Sequence, residues 1–465
     1  MQALQARGPD AKLLASGLKL HMLRPAHLVD IARVESAAEE HIPEPVLIKQ
    51  AEHTCAFALL ARSGRRYHRS GVMPAWHVAA RSTASGDPVQ IQDIVFYALS
   101  APLPPGKAYG MSKALATARQ TTLVCLKLED GTQGYGEAWG MPPVNQAYLP
   151  FIKGYLVGTK VLDVEQSFSR IVARHYHFGM QGPLMACLSG IDMAAKDAAG
   201  KMLGVPVHRL IGGKRSERVQ VYASGGYVTE NSDRDFEPQI VGMAQAGHRA
   251  VKIKIGLSPK SDEVRTALAR KILGDEVDLM VDINSNYTYD LARESISRLV
   301  DYGIGWVEEP LAPQDFSGYQ QLQRWSPIPI ATGEALYTAY DFKRLVDLRA
   351  VDVLQPDLSL CGGFWQGRAI CLLATLEHLR VSPHVWGSGI GLAAAVHFVA
   401  ALPGYPHGDN VPKPPLVEYD VGMNPLREDL LKNPLRPTDG SIAVSDEPGL
   451  GIEIDWDAVN RHAMR

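Results

Sequence analysis

Cysteine is scarce in this chain, and its spacing excludes two roles. The five cysteines (Cys55, Cys125, Cys187, Cys361 and Cys371) are odd in number, widely separated and form no CxxC pair. That pattern argues against a disulfide framework or a zinc site and for reduced thiols in a cytoplasmic setting. No apolar run reaches the ~18 residues of a membrane span. The longest, Ile390 to Leu402, is interrupted by His397 and reads as a buried helix. The N-terminus lacks the apolar core of a signal peptide. Charge of one sign is also lacking: 47 basic against 50 acidic residues leaves −3, no electrostatic case for nucleic acid or membrane surfaces. There is no Walker loop, GxSxG elbow or HExxH. What remains, 46% hydrophobic and 21% charged, is the composition of a soluble globular enzyme.

Residues 1–88 carry the weakest signal. They are rich in Ala, His and Arg and poor in aromatics, and only Asp30 to Glu40 has helical character. They read as an N-terminal extension, in part disordered; a start codon assigned too far upstream would look the same. Order begins near Val89. VQIQDIVFYAL alternates as a strand, and TTLVCLKLEDGTQGYGEAW reads as strand, Asp-Gly turn, strand. Between them Pro104 to Met111 is a Gly/Pro loop. A helical region runs from about Gln146 until Gly204 and Pro206 stop it. Residues 89–215 thus form an α+β block large enough for its own core.

From Val219 strands and helices alternate. Strands are predicted at 219–223, 250–256, 278–284, 304–310, 328–334, 351–357, 380–386 and 416–420, with helices such as Asp262 to Leu273 and Asp290 to Asp301 between them. Eight strands with helical crossovers over 216–420 make a parallel α/β barrel whose active site lies at the strand C-termini. The tail, 421–465, is turn-rich, with a short strand at Gly451 to Asp455 that returns to the first domain.

The barrel pattern is clearest from Val251 to Glu334. VKIKIG, VDINSN, WVEEP and ATGE are short apolar runs ending in charge, and Asp282, Glu308 and Glu334 recur at intervals of 26 residues. Three carboxylates on successive parallel strands converge, and with no Cys or His among them they suit magnesium. Glu309 should point to the opposite face, in a structural role, whereas Asn284 shares the face of Asp282 and can support it. Lys252 and Lys254 share a face one strand earlier. Each lowers the pKa of the other, so that a neutral lysine can act as a base; solvated edge lysines are the plainer alternative. On the next strands Asp357 can orient His384. His384 then sits across the barrel from Lys254, so a proton can be removed on one face and delivered on the other. Glu418 reaches the same rim, where a salt bridge would explain it equally well. WGSGIGL (Trp386 to Leu392) opens a helix as a dinucleotide loop would, but it lacks the full GxGxxG; its N–H groups could hold an anionic part of a substrate.

The order KxK, Asp, the Glu of EEP, the Glu of GE, Asp before Gly-Gly, then His resembles the enolase superfamily, in its mandelate racemase subgroup. The likeness runs from about 89 to 465 and includes IDMAAKDAAGKMLGVPVHRLIGG. It implies a modified (β/α)7β TIM-type barrel with an N-terminal α+β capping domain completed by the C-terminal tail. It implies Mg2+ on Asp282, Glu308 and Glu334, with Lys254 and the Asp357-assisted His384 as the two acid/bases. Lys252 would support the substrate carboxylate and Glu418 would hydrogen-bond it. The loops Pro104–Met111 and Gly140–Asn145 would close over a small-molecule carboxylate, and the protein would be a homo-oligomer. The shared chemistry is removal of the proton α to a carboxylate. Loss of a β-hydroxyl then makes a dehydratase of an aldonate or aldarate; reprotonation makes a racemase or epimerase. An NAD-linked oxidoreductase or a non-catalytic binding protein would require the lysine pair or the dyad to be absent or misplaced.

Overall fold

The computed structural model describes residues 89–464. The extension at 1–88, including the helix expected at Asp30 to Glu40, lies outside the described residues.

The chain first builds an antiparallel sheet. Ile91–Pro102 pairs with Ala118–Leu128, which turns at Gly131 (φ 86°) and pairs with Gln133–Ala138. One face of this sheet carries Ile94, Phe96, Val124 and Leu126, and buries them under the helices Pro142–Leu156, Val164–Arg174 and Pro183–Leu203. The last of these packs unusually close: a Cβ placed on Gly134 or Gly136 would lie 2.0 Å from a helix carbonyl oxygen. Gly204 ends it in the left-handed conformation (φ 69°) that glycine permits, its N–H returning to the helix carbonyls. The expected loop at Pro104–Met111 is a loop only in its first half. Tyr109–Met111 pairs with Ala114–Ala116 and with Val228–Thr229, making a small sheet shared by both domains.

The second unit is a parallel eight-stranded sheet. Its strands are Arg218–Gly225, Ala250–Lys254, Asp278–Asp282, Ile304–Glu308, Ile330–Thr332, Val353–Leu354, Arg380–Val381 and Leu416–Asp420. In space they run from the seventh down to the first and then to the eighth, with a helix in each of the seven crossovers. Ser382 Oγ donates to Leu416 O at 2.8 Å, bridging the seam between the seventh and eighth strands. The architecture is the expected (β/α)7β barrel.

Strand alternation fixes the barrel interior. Tyr222, Ala250, Met280, Trp306, Ala331 and Val353, one from each of the first six strands, form an apolar layer with Leu416 of the eighth. Two residues further along their strands, the same inward face presents Lys252, Asp282, Glu308 and Glu418. A charged floor thus lies directly above an apolar plug.

Six strands end earlier than the sequence predicted: two at Leu354 and Val381, and four at Lys254, Asp282, Glu308 and Thr332. Left-handed backbone at Gly256 (φ 91°), Asn284 (φ 50°), Glu309 (φ 42°) and Gly333 (φ 139°) leaves the ladder there. Glu334, Asp357 and His384 therefore sit on the loops just beyond their strands. The tail also differs from expectation. Gly451 to Asp455 contributes one bridge, Ile454 to Leu431, while the strand forms at Ser441–Ala443, antiparallel to the first barrel strand. The final helix Trp456–His462 reaches the capping sheet, with the rings of Trp456 and Tyr97 5.4 Å apart. Among the described residues no helix is long and apolar enough to cross a membrane.

Candidate active site

The mouth of the barrel gathers every site residue named from the sequence except one at its edge. Asp282, Glu308 and Glu334 offer carboxylate oxygens that all lie within 4.8 Å of one another. Asp282 and Glu308 are held by their surroundings. Asp282 Oδ1 accepts the Asn284 backbone N–H at 2.8 Å. Glu308 Oε2 accepts Trp306 Nε1–H at 3.0 Å and Gln355 Nε2–H at 2.5 Å. Glu334 Oε2 is a buried atom without a hydrogen-bond partner, with His384 Nε2 at 3.5 Å. Asn284 is the residue at the edge: it is buried beside Asp282, but it supports that carboxylate through its backbone, and its side-chain oxygen has no partner.

The lysines approach from the second strand. Lys254 Nζ donates to Asp282 Oδ2 at 2.5 Å. Lys252 Nζ, fully buried, bonds to Glu308 and lies 3.0 Å from Glu418 Oε1 and 3.5 Å from Asp282 Oδ2. Solvated edge lysines are thereby excluded. Lys252 does pull Lys254 down, but neither lysine ends below its ordinary value. Burial pulls Lys254 down, but the Asp282 carboxylate more than offsets this and holds the ammonium above its ordinary value. Lys252 is likewise held well above, by Glu308 and Glu418 against its burial.

His384 approaches from the other side. Its Nδ1 meets Asp357 Oδ2 at 2.7 Å, and Asp357 Oδ1 accepts both the N–H and the hydroxyl of Ser359. Burial alone would lower the imidazole; Glu334, Glu418 and the bond to Asp357 raise it to about 10. Glu418 accepts the Val385 N–H at 2.9 Å and lies 3.8 Å from His384 Nε2. Burial pushes its carboxyl up, and Lys252, His384 and Lys254 together hold it well below its ordinary value. Its salt bridge to Lys252 is real, and it also links the lysine side of the site to the histidine side.

A divalent cation fits this donor set. The three ligands are carboxylates, with no thiol or imidazole among them, as a hard cation prefers. Carboxylate charge is in excess: burial pushes Glu308 up, Lys252 opposes it, and Asp282, Glu418 and Glu334 join burial to leave it at about 8. Glu309 adds to that excess. It was expected to point to the opposite face in a structural role; its backbone is left-handed, φ 42°. Its carboxyl is buried, and burial together with Glu334 and Asp282 holds it well above its ordinary value.

The glycine-rich stretch Trp386–Leu392 does hold an anion, and that anion belongs to the chain. Glu137 of the capping sheet accepts the Ser388 N–H (2.8 Å), the Ser388 hydroxyl (2.7 Å) and the Gly391 N–H (2.8 Å). The substrate anion considered for this loop is therefore replaced by an internal carboxylate. Gln355, Trp306, Ser359 and Glu137 were not found from the sequence. Only for Glu137 was there a signal, the loop that needed an anion.

Residues 102–212 match the mandelate racemase/muconate lactonizing enzyme N-terminal domain, and 236–458 match the enolase C-terminal domain-like family. The chain is 37% identical to D-galactarolactone cycloisomerase of Agrobacterium fabrum over 74% of its length and 92% of the relative's. The chain belongs to the mandelate racemase subgroup of the enolase superfamily. It is also 31% identical to arabinonate dehydratase of Saccharolobus solfataricus, over 71% of this chain and 87% of that one. A Streptomyces coelicolor racemase solved with bound magnesium superposes with a TM-score of 0.71 at 26% identity, covering 80% of this chain and all of that one. The protein is thus an enolase-superfamily enzyme of lyase or isomerase type.

Proposed function

We propose that the enzyme removes the proton α to the carboxylate of a sugar acid and then expels the β-hydroxyl, making it a dehydratase of an aldonate or aldarate. The observation that carries this is the placement of Lys254 and His384 on opposite sides of one carboxylate cluster. Lys254 touches Asp282 at 2.5 Å, and His384 stands 3.5 Å from Glu334. Mg2+ held by Asp282, Glu308 and Glu334 would supply, when bound, Lewis-acid stabilisation of the developing enediolate charge.

The chain's own groups do the rest. Lys252, fixed between Glu308 and Glu418, presents its ammonium to the substrate carboxylate and disfavours reorientation of that end. One of Lys254 and His384 takes the C2 proton as general base. An acid then delivers a proton to the C3 hydroxyl, which leaves as water; the enol so formed tautomerises to a 2-keto-3-deoxy acid. Asp357 keeps Nδ1 of His384 as its bonded nitrogen, leaving Nε2 directed at the carboxylate cluster.

The similarity to a cycloisomerase favours one other reading. A ring oxygen at the β carbon would leave in place of hydroxide, after the same proton abstraction. A racemase would stop earlier, returning a proton to C2. The test is incubation of the Mg2+-supplemented enzyme with aldonates, aldarates and their lactones. A 2-keto-3-deoxy product from an open-chain acid is expected. The same product from a lactone alone supports the cycloisomerase; an epimerised acid without keto product supports the racemase and contradicts elimination.

A further inference from the structure

The edge strand of the capping sheet, Gln133–Ala138, and the tryptophan that follows it bind the two loops that carry the dyad. Glu137 is 1% exposed, and beyond its bonds to Ser388 and Gly391 it accepts the Thr121 hydroxyl at 2.6 Å. These bonds fasten the loop four residues beyond His384 to the capping domain. Close approach is built in: a Cβ on Gly387 would lie 2.4 Å from Glu137 Oε1, and one on Gly391 2.7 Å from Oε2. The Asp357 side is fastened by the next residues. Trp139 donates its N–H to Ser359 O at 3.0 Å, and Ser359 is the residue whose N–H and hydroxyl hold Asp357 Oδ1. The Trp139 carbonyl is pinned in turn by buried Asn145 at 2.9 Å, and its indole meets the His384 ring edge-on at 6.3 Å.

We propose that Glu137 is a positioning residue, by which the capping domain sets the geometry of the His384–Asp357 pair. This rests on the acid/base role proposed above for His384. A carboxylate suits the task because it accepts several convergent N–H and O–H groups at once and adds the favourable charge at the N-terminus of the helix Gly389–Ala400. A neutral amide at 137 would turn donors toward donors and release the loop. Because the bonds cross between domains, the dyad assembles only when the cap is seated.

The experiment pairs kinetics with a crystal structure of the full-length Glu137→Gln variant, using whichever acid sugar the wild type turns over. The expected result is a kcat lower by on the order of 100-fold, the cost of a misplacement near 1 Å. KM should stay within about threefold, because Lys252 and the carboxylate cluster are untouched. In that structure His384 Nδ1 should stand beyond hydrogen-bond reach of Asp357 Oδ2. Glu137→Asp should recover part of the rate. Ser388→Ala, which deletes one donor and leaves the backbone bonds, should give a smaller loss of the same kind and serves if Glu137→Gln does not fold. An intact 2.7 Å dyad in the variant, or a kcat within threefold of wild type, would overturn the proposal. Full turnover by His384→Asn would instead overturn the acid/base role, while the displaced dyad would still establish the link to Glu137.

Discussion

At the scale of single residues, the support given to Glu308 decides how well a cation is held. Its Oε2 takes two donors, from Trp306 and Gln355, and both donors are buried. Partners of this kind fix the orientation of a ligating carboxylate, and losing one costs about 10- to 100-fold in affinity. Gln355→Ala is therefore expected to weaken Mg2+ binding by that factor, read by calorimetric titration, with the fold retained; an unchanged affinity would remove Gln355 from the site. The carboxylates Asp282 and Glu308 were legible because a charge ending an apolar run has few structural reasons to exist. Gln355 was not, since a glutamine near a strand end has many.

At the scale of elements, the capping sheet and its long helix depend on absent side chains. Gly136 faces the helix Pro183–Leu203 so closely that a Cβ would lie 2.0 Å from Gly190 O. Since that contact is backbone, relief requires the strand and helix to separate. Gly136→Ala should destabilise by about 1–3 kcal/mol or more, the usual range for overpacking. Chemical denaturation measures this, and wild-type stability would contradict the packing described. Because Glu137 is the next residue, kcat should fall as well. The strands of this sheet were readable from alternation and the Asp-Gly turn. Their partners were not, because close packing of glycines against a helix leaves no periodic mark. The barrel strands were overextended for a related reason: the apolar pattern continues past Lys254 and Asp282 into Ile255 and Ile283, although the ladder has already ended.

At the scale of the whole molecule, the proposed active site draws on two domains. The barrel supplies the carboxylates, both lysines and the dyad, and the cap supplies Glu137 and Trp139. The 26-residue repeat made the barrel legible, because two successive units of strand, crossover helix and return occupy the same length of chain. The contact between domains was not, since Glu137 and Ser388 lie 251 residues apart and no local pattern joins them. The central claim for the assembled molecule is abstraction of a proton α to a carboxylate with exchange to solvent. The most direct measurement is the conversion of an acid sugar in heavy water, with NMR and mass analysis of the product. One deuterium at C3 of the 2-keto-3-deoxy acid is predicted, with no product after complete chelation and none from Lys254→Met. Protium carried intact from C2 to C3, or undiminished turnover after chelation, would contradict it.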